Sequence, residues 1–200
     1  MIGRWGQRTR HSPPVRFPLS QMIFGRSLEL EVMSKAQVST FPPQSAAERK
    51  AVEAELRTLI TKFAPKQLRL VAAMRKSLRK RLPTAFEVVY EYRSWFVISI
   101  SPSEHGYEGV FGIRGDADGV RLYFNQGKVL PDPEKLLQGS SQTRFIDVEG
   151  ASTLARPAVA RLIDEAIARN RVPFAPARAG GGRGPVVIRS AAAKKRHRPA

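Results

Sequence analysis

The segment FNQGKVLPDPEKLLQG, residues 124–139, decides the fold of this chain more than any other stretch. The positions of its glycines and prolines predict the end of a strand, a turn at Gly127 and a short helix whose first residue is Pro133. Asp132 is placed to cap that helix, because a carboxylate just before the first turn accepts hydrogen bonds from free amides, and proline suits the first helical position. Gly139 then closes the helix as a C-terminal glycine. The segment contains no nucleophile, base or metal-ligand cluster, so it indicates a kind of domain rather than a reaction.

Alternating apolar and β-branched residues predict four strands before this segment and one after it. The predicted strands are 86–92, 95–101, 109–114, 119–124 and 144–148. Short turns join the first four, including Arg93-Ser94 and an Asp118-Gly119 hairpin signal. These strands must therefore pair antiparallel, since parallel pairing needs a crossover of a dozen residues or more. In the first strand, Phe86, Val88, Tyr90 and Tyr92 share one face.

Two helices precede the strands and one follows them. A Ser45/Glu48 capping box predicts the start of the first helix. Its apolar residues recur at helical spacing: Val52, Leu56, Leu59, Ile60 and Phe63. The second begins at Pro65 and ends before Pro83, and the last runs from Pro157 to about Asn170. The order predicts an α+β fold. It consists of a five-stranded, mainly antiparallel sheet flanked by two N-terminal helices, a short helix and a C-terminal helix, with helices covering one face of the sheet.

Charge divides the chain into three parts. The net charge is +17, but residues 1–43 contribute six Lys/Arg against two Glu, and residues 173–200 contribute seven Lys/Arg and no acid. We expect a disordered basic arm over 1–43, a domain over 44–172 and a flexible basic tail over 173–200. Met33 is a natural start, so 1–32 is either a flexible arm or an upstream extension. Residues 185–189 either add an edge strand or stay extended in solvent.

Composition narrows the possible classes of protein. The chain has no cysteine, which excludes disulfides, thiolate metal sites and cysteine catalysis. No run approaches the ~18 apolar residues of a membrane span, and the start lacks the apolar core of a secretory signal. We therefore expect a cytoplasmic protein with no membrane partner.

The motif Gly127-x-x-Leu-Pro-Asp-Pro-x-x-Leu-Leu-x-Gly139, followed by Arg144-x-Ile-x-Val148 and an amphipathic helix, resembles the YdhG-like family of uncharacterised bacterial domains. The resemblance covers about 120 residues, from Val52 to Asn170. It implies a small antiparallel sheet flanked by helices. Some members are described as frataxin-like iron chaperones, which makes intracellular iron binding one alternative function.

Carboxylates and histidines give weak metal signals. An iron site needs a cluster of acidic side chains that supply hard oxygen ligands. The acids of the first helix, Glu48, Glu53 and Glu55, are instead interspersed with basic residues: Arg49, Lys50 and Arg57. His105 lies between Glu104 and Glu108 in a loop, with no second histidine nearby. No phosphate-binding loop or serine-nucleophile motif occurs. We expect no metal, no cofactor and no enzymatic activity.

Aromatic residues and arginines concentrate on the predicted strands. A sheet covered on one side only must expose some of these rings, and an aromatic and arginine surface suits planar or anionic ligands. The alternative is that the rings form an ordinary core. The leading hypothesis is a non-enzymatic module that binds a small ligand or a protein partner through Tyr90, Trp95, Arg121, Tyr123 and Arg144.

Basic residues give a second hypothesis, weak and non-specific nucleic-acid binding. The candidate residues lie on the second helix and in the tail: Arg75, Lys76, Arg79, Lys80, Arg81, Lys194, Lys195, Arg196 and Arg198. No helix-turn-helix, zinc-finger or RNA-recognition signature accompanies them.

Overall fold

The structure is a computed structural model and describes residues 41–176 and 183–189. Its helices are α1 (Ala46–Phe63), α2 (Leu68–Arg81) and α3 (Pro157–Ala168). Its strands are β1 (Phe86–Glu91), β2 (Phe96–Ser101), β3 (Phe111–Gly115), β4 (Val120–Phe124), β5 (Arg144–Asp147) and β6 (Val186–Arg189). Short 3-10 turns occur at Pro65–Gln67, Gly106–Glu108, Gly127–Val129 and Ala151–Ala155.

The predicted α+β class is confirmed, with one strand more than expected. The six strands form one open sheet in the order β5-β4-β3-β2-β1-β6. β1 to β5 pair antiparallel with their neighbours, which the short connections among β1 to β4 require. β6 pairs parallel with β1 at the edge of the sheet, which decides the open question about 185–189 in favour of a strand. The predicted count of five was therefore wrong.

The side chain of Gln44, which precedes α1, forms hydrogen bonds with the edge strand β6. The Gln44 amide donates from Nε2 to the Val186 carbonyl at 2.8 Å and accepts at Oε1 from the Val186 N–H at 3.1 Å. Gln44 thus satisfies both backbone groups that Val186 turns away from β1. Unpaired backbone groups at the edge of a sheet can pair with another chain, and the hydrogen bonds of Gln44 occupy two of these groups.

The short helix predicted at Pro133 is absent. The chain makes a turn there, and Lys135 has a φ of 53°, which interrupts helical geometry within its first turn. Asp132 does accept backbone hydrogen bonds, from the amides of Leu136 and Leu137 at 2.9 and 2.7 Å. Asp132 therefore binds backbone amides, as predicted, but those of residues four and five positions on, and it holds a loop instead of capping a helix. Gly139 has the positive φ (98°) that favours glycine.

The core lies between the three helices and one face of the sheet. The capping box at Ser45 and Glu48 is present, and Leu56, Leu59 and Ile60 of α1 are buried, as predicted. They pack with Met74 and Leu78 of α2, with Leu162 and Ile163 of α3, and with the alternate residues of the strands that point the same way. No helix within 41–176 and 183–189 is long and apolar enough to cross a membrane.

Several sequence predictions fall on residues that the structure does not describe. They are the start at Met33 and the arm as far as residue 40, residues 177–182 of the tail, and the basic run Lys194, Lys195, Arg196 and Arg198.

Candidate functional site

The strand register divides the sheet residues between two faces. One face meets the helices and carries Val89, Ile98, Ile113 and Leu122, which are paired in register from β1 to β4. The opposite face carries two rows that cross the strands. The first row is Val88, Ser99, Gly112, Tyr123 and Phe145, and the second is Arg189, Tyr90, Val97, Arg114, Arg121 and Asp147. The aromatic and arginine residues of the strands therefore share the face away from the helices.

A loop covers one end of this second face. The Ser99 hydroxyl donates to the Gly106 carbonyl at 2.8 Å, and the Ser101 hydroxyl donates to the His105 carbonyl at 2.7 Å. The Tyr90 ring lies directly against Gly106, since a Cβ on that glycine would be 2.5 Å from the ring. The loop over 102–109 thus closes the β1–β2 end of the face and leaves the β2–β4 part open.

The open part contains a groove of about 220 Å³. It is lined by Trp95, Val97, Gly112, Arg114, Tyr123, Asn125 and Thr143. Gly112 forms its floor, because the bare backbone there lies between the side chains of Val97 and Tyr123, 3.4 and 3.7 Å from where a Cβ would stand. Arg114 is the one charged residue in the lining.

Trp95 forms one wall of the groove and is held between two neighbours. The Tyr92 ring stacks on it with centroids 3.8 Å apart and an interplanar angle of 11°. The Arg114 guanidinium carbon lies 4.4 Å from the centroid of the Trp95 ring, within cation–π range. The indole and the guanidinium are therefore positioned before any ligand arrives, which lowers the entropic cost of binding.

Arg114 retains hydrogen-bonding capacity. One terminal nitrogen, Nη2, pairs with Asp116 at 3.2 Å. Its Nε is buried and has no hydrogen-bond acceptor among the described residues. A buried donor without an acceptor costs free energy, and its burial keeps this nitrogen out of reach of a ligand in the groove.

A second aromatic and arginine pair continues the face toward β5. The Tyr123 and Phe145 ring centroids are 5.2 Å apart, and the Arg121 guanidinium lies 5.0 Å from the Phe145 centroid. Arg121 also donates to Asp147 at 2.9 Å, and this hydrogen bond raises the pKa of Arg121 above its ordinary value. Arg121 and Asp147 consequently form an ion pair beside the groove.

The structure brings together four of the five residues predicted for the ligand site. Tyr90, Trp95, Arg121 and Tyr123 share the open face, although the 102–109 loop partly covers Tyr90. Arg144 pairs in register with Phe124 and belongs to the opposite face, against Gly127. Its side chain was predicted on the wrong side, since alternation along a strand as short as β5 gives a weak signal.

Sequence reasoning missed Gly112 as a site residue and did not single out Arg114. A glycine inside an otherwise apolar strand was the available signal, because such a glycine often marks a bulge or a place where a ligand approaches the backbone. Asn125 was also missed. It follows the last residue of β4 and lines the groove next to Thr143.

The basic residues of α2 fall into two groups, those that pair with carboxylates and those that are exposed to solvent without an ion pair to a described residue. Arg75 and Arg79 donate to Glu87, which is 1% exposed, and to Glu53. Arg81 pairs with Asp164 of α3 at 2.8 Å. Lys76 and Lys80 are exposed and form no ion pair with a described residue. Two of the five predicted helix residues therefore present an unpaired charge to solvent.

The carboxylates of α1 do not form a cluster. Glu48 belongs to the capping box, and Glu53 is bound by Arg75 and Arg79. Burial favours the protonated form of Glu53, but the two guanidinium groups outweigh it and lower the pKa of this carboxyl. Within the described ranges, no group of three or more His, Asp or Glu residues could hold a metal ion.

Comparison of the chain with models of protein families, with curated protein sequences and with solved structures found no match in any of the three. The resemblance to the YdhG-like family therefore gains no support from these comparisons and stays a prediction.

Proposed function

We propose that this protein is a non-enzymatic binding module whose groove between Trp95 and Tyr123 holds a planar, anionic ligand. One observation carries the proposal: Gly112 leaves bare backbone between Val97 and Tyr123, in a groove whose Arg114 is already stacked on the Trp95 indole. Glycine inside a strand lowers stability because it has no side chain to pack and loses more backbone entropy than other residues. A binding function accounts for its presence, since a large side chain at this position would occupy the floor of the groove.

The lining determines the chemistry of the ligand. Tyr123 offers a ring to a flat ligand, and Trp95 forms a fixed wall because Tyr92 and Arg114 already pack against it. Arg114 offers its positive charge, which the Asp116 carboxylate shares at 3.2 Å, so an anionic group must compete with Asp116 for the guanidinium. A ring bearing a carboxylate, sulfonate or phosphate matches the Tyr123 ring and the Arg114 charge.

Amide chemical shifts of the full-length protein test the proposal. We expect naphthalene-2-sulfonate to shift the amides of Val97, Gly112 and Tyr123, and methanesulfonate, which has the anion without the ring, to leave them unchanged. Arg114→Met removes the positive charge and is expected to weaken binding. Lys80→Met removes one charge from the opposite side of the molecule and serves as the matched control. Equal weakening by both variants would show non-specific attraction and contradict the proposal.

Two alternatives remain as proposals. Non-specific nucleic-acid association through α2 and the tail now depends on Lys76, Lys80 and the residues after 190, because Arg75, Arg79 and Arg81 are paired. Loss of low-salt DNA binding in a Lys76→Met/Lys80→Met protein truncated after residue 189 would support it. Membership of the YdhG-like family, with frataxin-like iron binding, is the other alternative. Calorimetry with ferrous and ferric ions tests it directly.

A further inference from the structure

The size of the groove limits what it encloses. At about 220 Å³ it is smaller than the roughly 300–1,000 Å³ of sites that surround a drug-sized ligand. It is also an open channel on a sheet face, bordered by strands on both sides. Such a groove has room for one ring system, and the rest of a larger ligand would lie outside it, along the open face of the sheet.

Exposed rings continue the face beyond the groove. Three large apolar or aromatic side chains are markedly exposed in the described residues: Tyr92 (43%), Tyr107 (79%) and Val129. Tyr92 stacks on the groove residue Trp95, and Tyr107 stacks on His105 in the loop that covers the β1–β2 end. Rings held in pairs, with one ring exposed, form ready stacking platforms at both ends of the open face.

Positive charge follows the same face. The row that crosses the strands includes Arg189, Arg114 and Arg121, of which Arg114 is paired with Asp116 and Arg121 with Asp147. Arginine fits phosphate groups well because its planar donors can bind two oxygens at once.

A ligand that places one ring in the groove, further rings on Tyr92 or Tyr107 and anionic groups along the arginines has the repeating chemistry of a nucleic-acid strand. A duplex keeps its bases stacked inside and cannot offer them to side chains, whereas a single strand can. We infer that the groove takes a single nucleobase from a single-stranded nucleic acid, whose phosphates contact Arg114 and Arg121. This inference rests on the proposed function of the groove. It differs from the α2 and tail alternative in requiring the sheet face.

Fluorescence of the full-length chain tests the inference. The chain has two tryptophans, so a Trp5→Phe protein leaves Trp95 as the only reporter. We expect ten-residue oligothymidylate and oligouridylate to quench Trp95 and a duplex of equal length to quench it far less. The two oligonucleotides also show whether DNA or RNA binds more tightly.

Variants show whether the groove carries the binding. Gly112→Val fills the groove and keeps Trp95, and Trp95→Leu removes the wall. Each is expected to weaken binding of a labelled oligonucleotide by about 5- to 150-fold, the range for losing one stacked base. Lys76→Met, on the helix side, is the control and is expected to change the affinity by less than about threefold, as one phosphate contact would. Thermal unfolding confirms that each variant is folded, and Gly112→Val keeps the test valid if Trp95→Leu does not fold.

The possible results separate this inference from the function on which it depends. Equal oligonucleotide affinity in the Trp5→Phe protein and in Gly112→Val would overturn the inference, because charge elsewhere would then hold the strand. If naphthalene-2-sulfonate still bound the groove and were lost in Gly112→Val, the proposed function would stand without the inference. If neither ligand reached the groove, both would be contradicted.

Discussion

Arg75 of α2 donates two hydrogen bonds to one carboxylate oxygen of Glu87 on β1, from Nε at 2.8 Å and from Nη2 at 2.6 Å. Glu87 is 1% exposed and Arg75 is 7% exposed, so this charge pair lies inside the protein. Arg79 and Glu53 complete the network and link both N-terminal helices to the sheet. Burial would lower the pKa of Arg75, but Glu53 and Glu87 outweigh it and raise the pKa. The network fixes the helix layer on one face and leaves the other face to the groove.

Removal of one partner should destabilise the fold strongly. Glu87→Gln leaves Arg75 and Arg79 to share the single carboxylate of Glu53, and the loss should approach the ~3–5 kcal/mol that breaking a buried pair typically costs. Glu91→Gln is the matched control on the same strand and face, because its partner Lys62 is exposed and such pairs contribute about 0–1 kcal/mol. Urea unfolding of both variants measures the difference. Similar losses in the two proteins would refute the structural role given to Glu87.

The lowered pKa of Glu53 predicts a pH dependence. A carboxyl whose pKa is lower in the folded than in the unfolded protein contributes stability above its unfolded pKa, near 4.5, and loses it as pH falls through the folded pKa. Wild-type protein should therefore exceed Glu53→Gln in stability at pH 7, and the gap should shrink below about pH 4.5. Urea midpoints between pH 7 and pH 3 measure this gap. Glu55→Gln, an exposed substitution on the same helix, is the control, and a constant gap for Glu53→Gln would count against the account.

Two glycines of β3 should respond in opposite ways to substitution. A Cβ at Gly115 would stand 2.5 Å from the ring of the buried Phe96, so Gly115→Ala should destabilise by about 1–3 kcal/mol through overpacking. Gly112→Ala places its methyl group at ordinary contact distances from Val97 and Tyr123, and should raise stability slightly by about 0.4–1 kcal/mol. Thermal unfolding of the two single variants tests the contrast. A destabilised Gly112→Ala would mean that the floor of the groove has no free space.

The edge strand gives another test. Gln44→Ala removes both hydrogen bonds to Val186, and at about 0.5–1.5 kcal/mol each the combined loss should be about 1–3 kcal/mol, felt first in β6. Hydrogen exchange should quicken at Val187 and Ile188 before it changes in β2 and β3. Gln142→Ala, at an exposed glutamine, should have no such effect. Unchanged protection of β6 in Gln44→Ala would show that β1 alone holds this strand.

Local signals predicted the fold well. The capping box at Ser45 and the apolar spacing of α1 depend on neighbouring residues, and both are confirmed. The antiparallel pairing of β1 to β4 followed from the shortness of the turns between them. The helix at Pro133 was wrong because Asp132 binds the amides of Leu136 and Leu137 in a turn, which sequence alone does not distinguish from a cap.

Distant contacts account for what the sequence could not show. β6 pairs with β1 across about a hundred residues, so no local pattern could establish it. The buried pairing of Arg75 with Glu87 joins a helix and a strand, and on the helix alone Arg75 is one cation among several. In the site, the alternation of residues along the strands was enough to predict that Trp95 and Tyr123 face the same way. The groove between them could not be predicted, because it depends on which residues of β2 and β4 lie beside Gly112.

The position of a bound ring is the most direct measurement of the central claim. Intermolecular nuclear Overhauser effects should connect the ring protons of naphthalene-2-sulfonate with the Gly112 α-protons and with the Trp95 and Tyr123 rings. The account predicts these contacts together, since the groove places all three groups around one cavity. Contacts confined to Lys76 and Lys80 of α2, or to the Tyr107 loop, with none to Gly112, would contradict it.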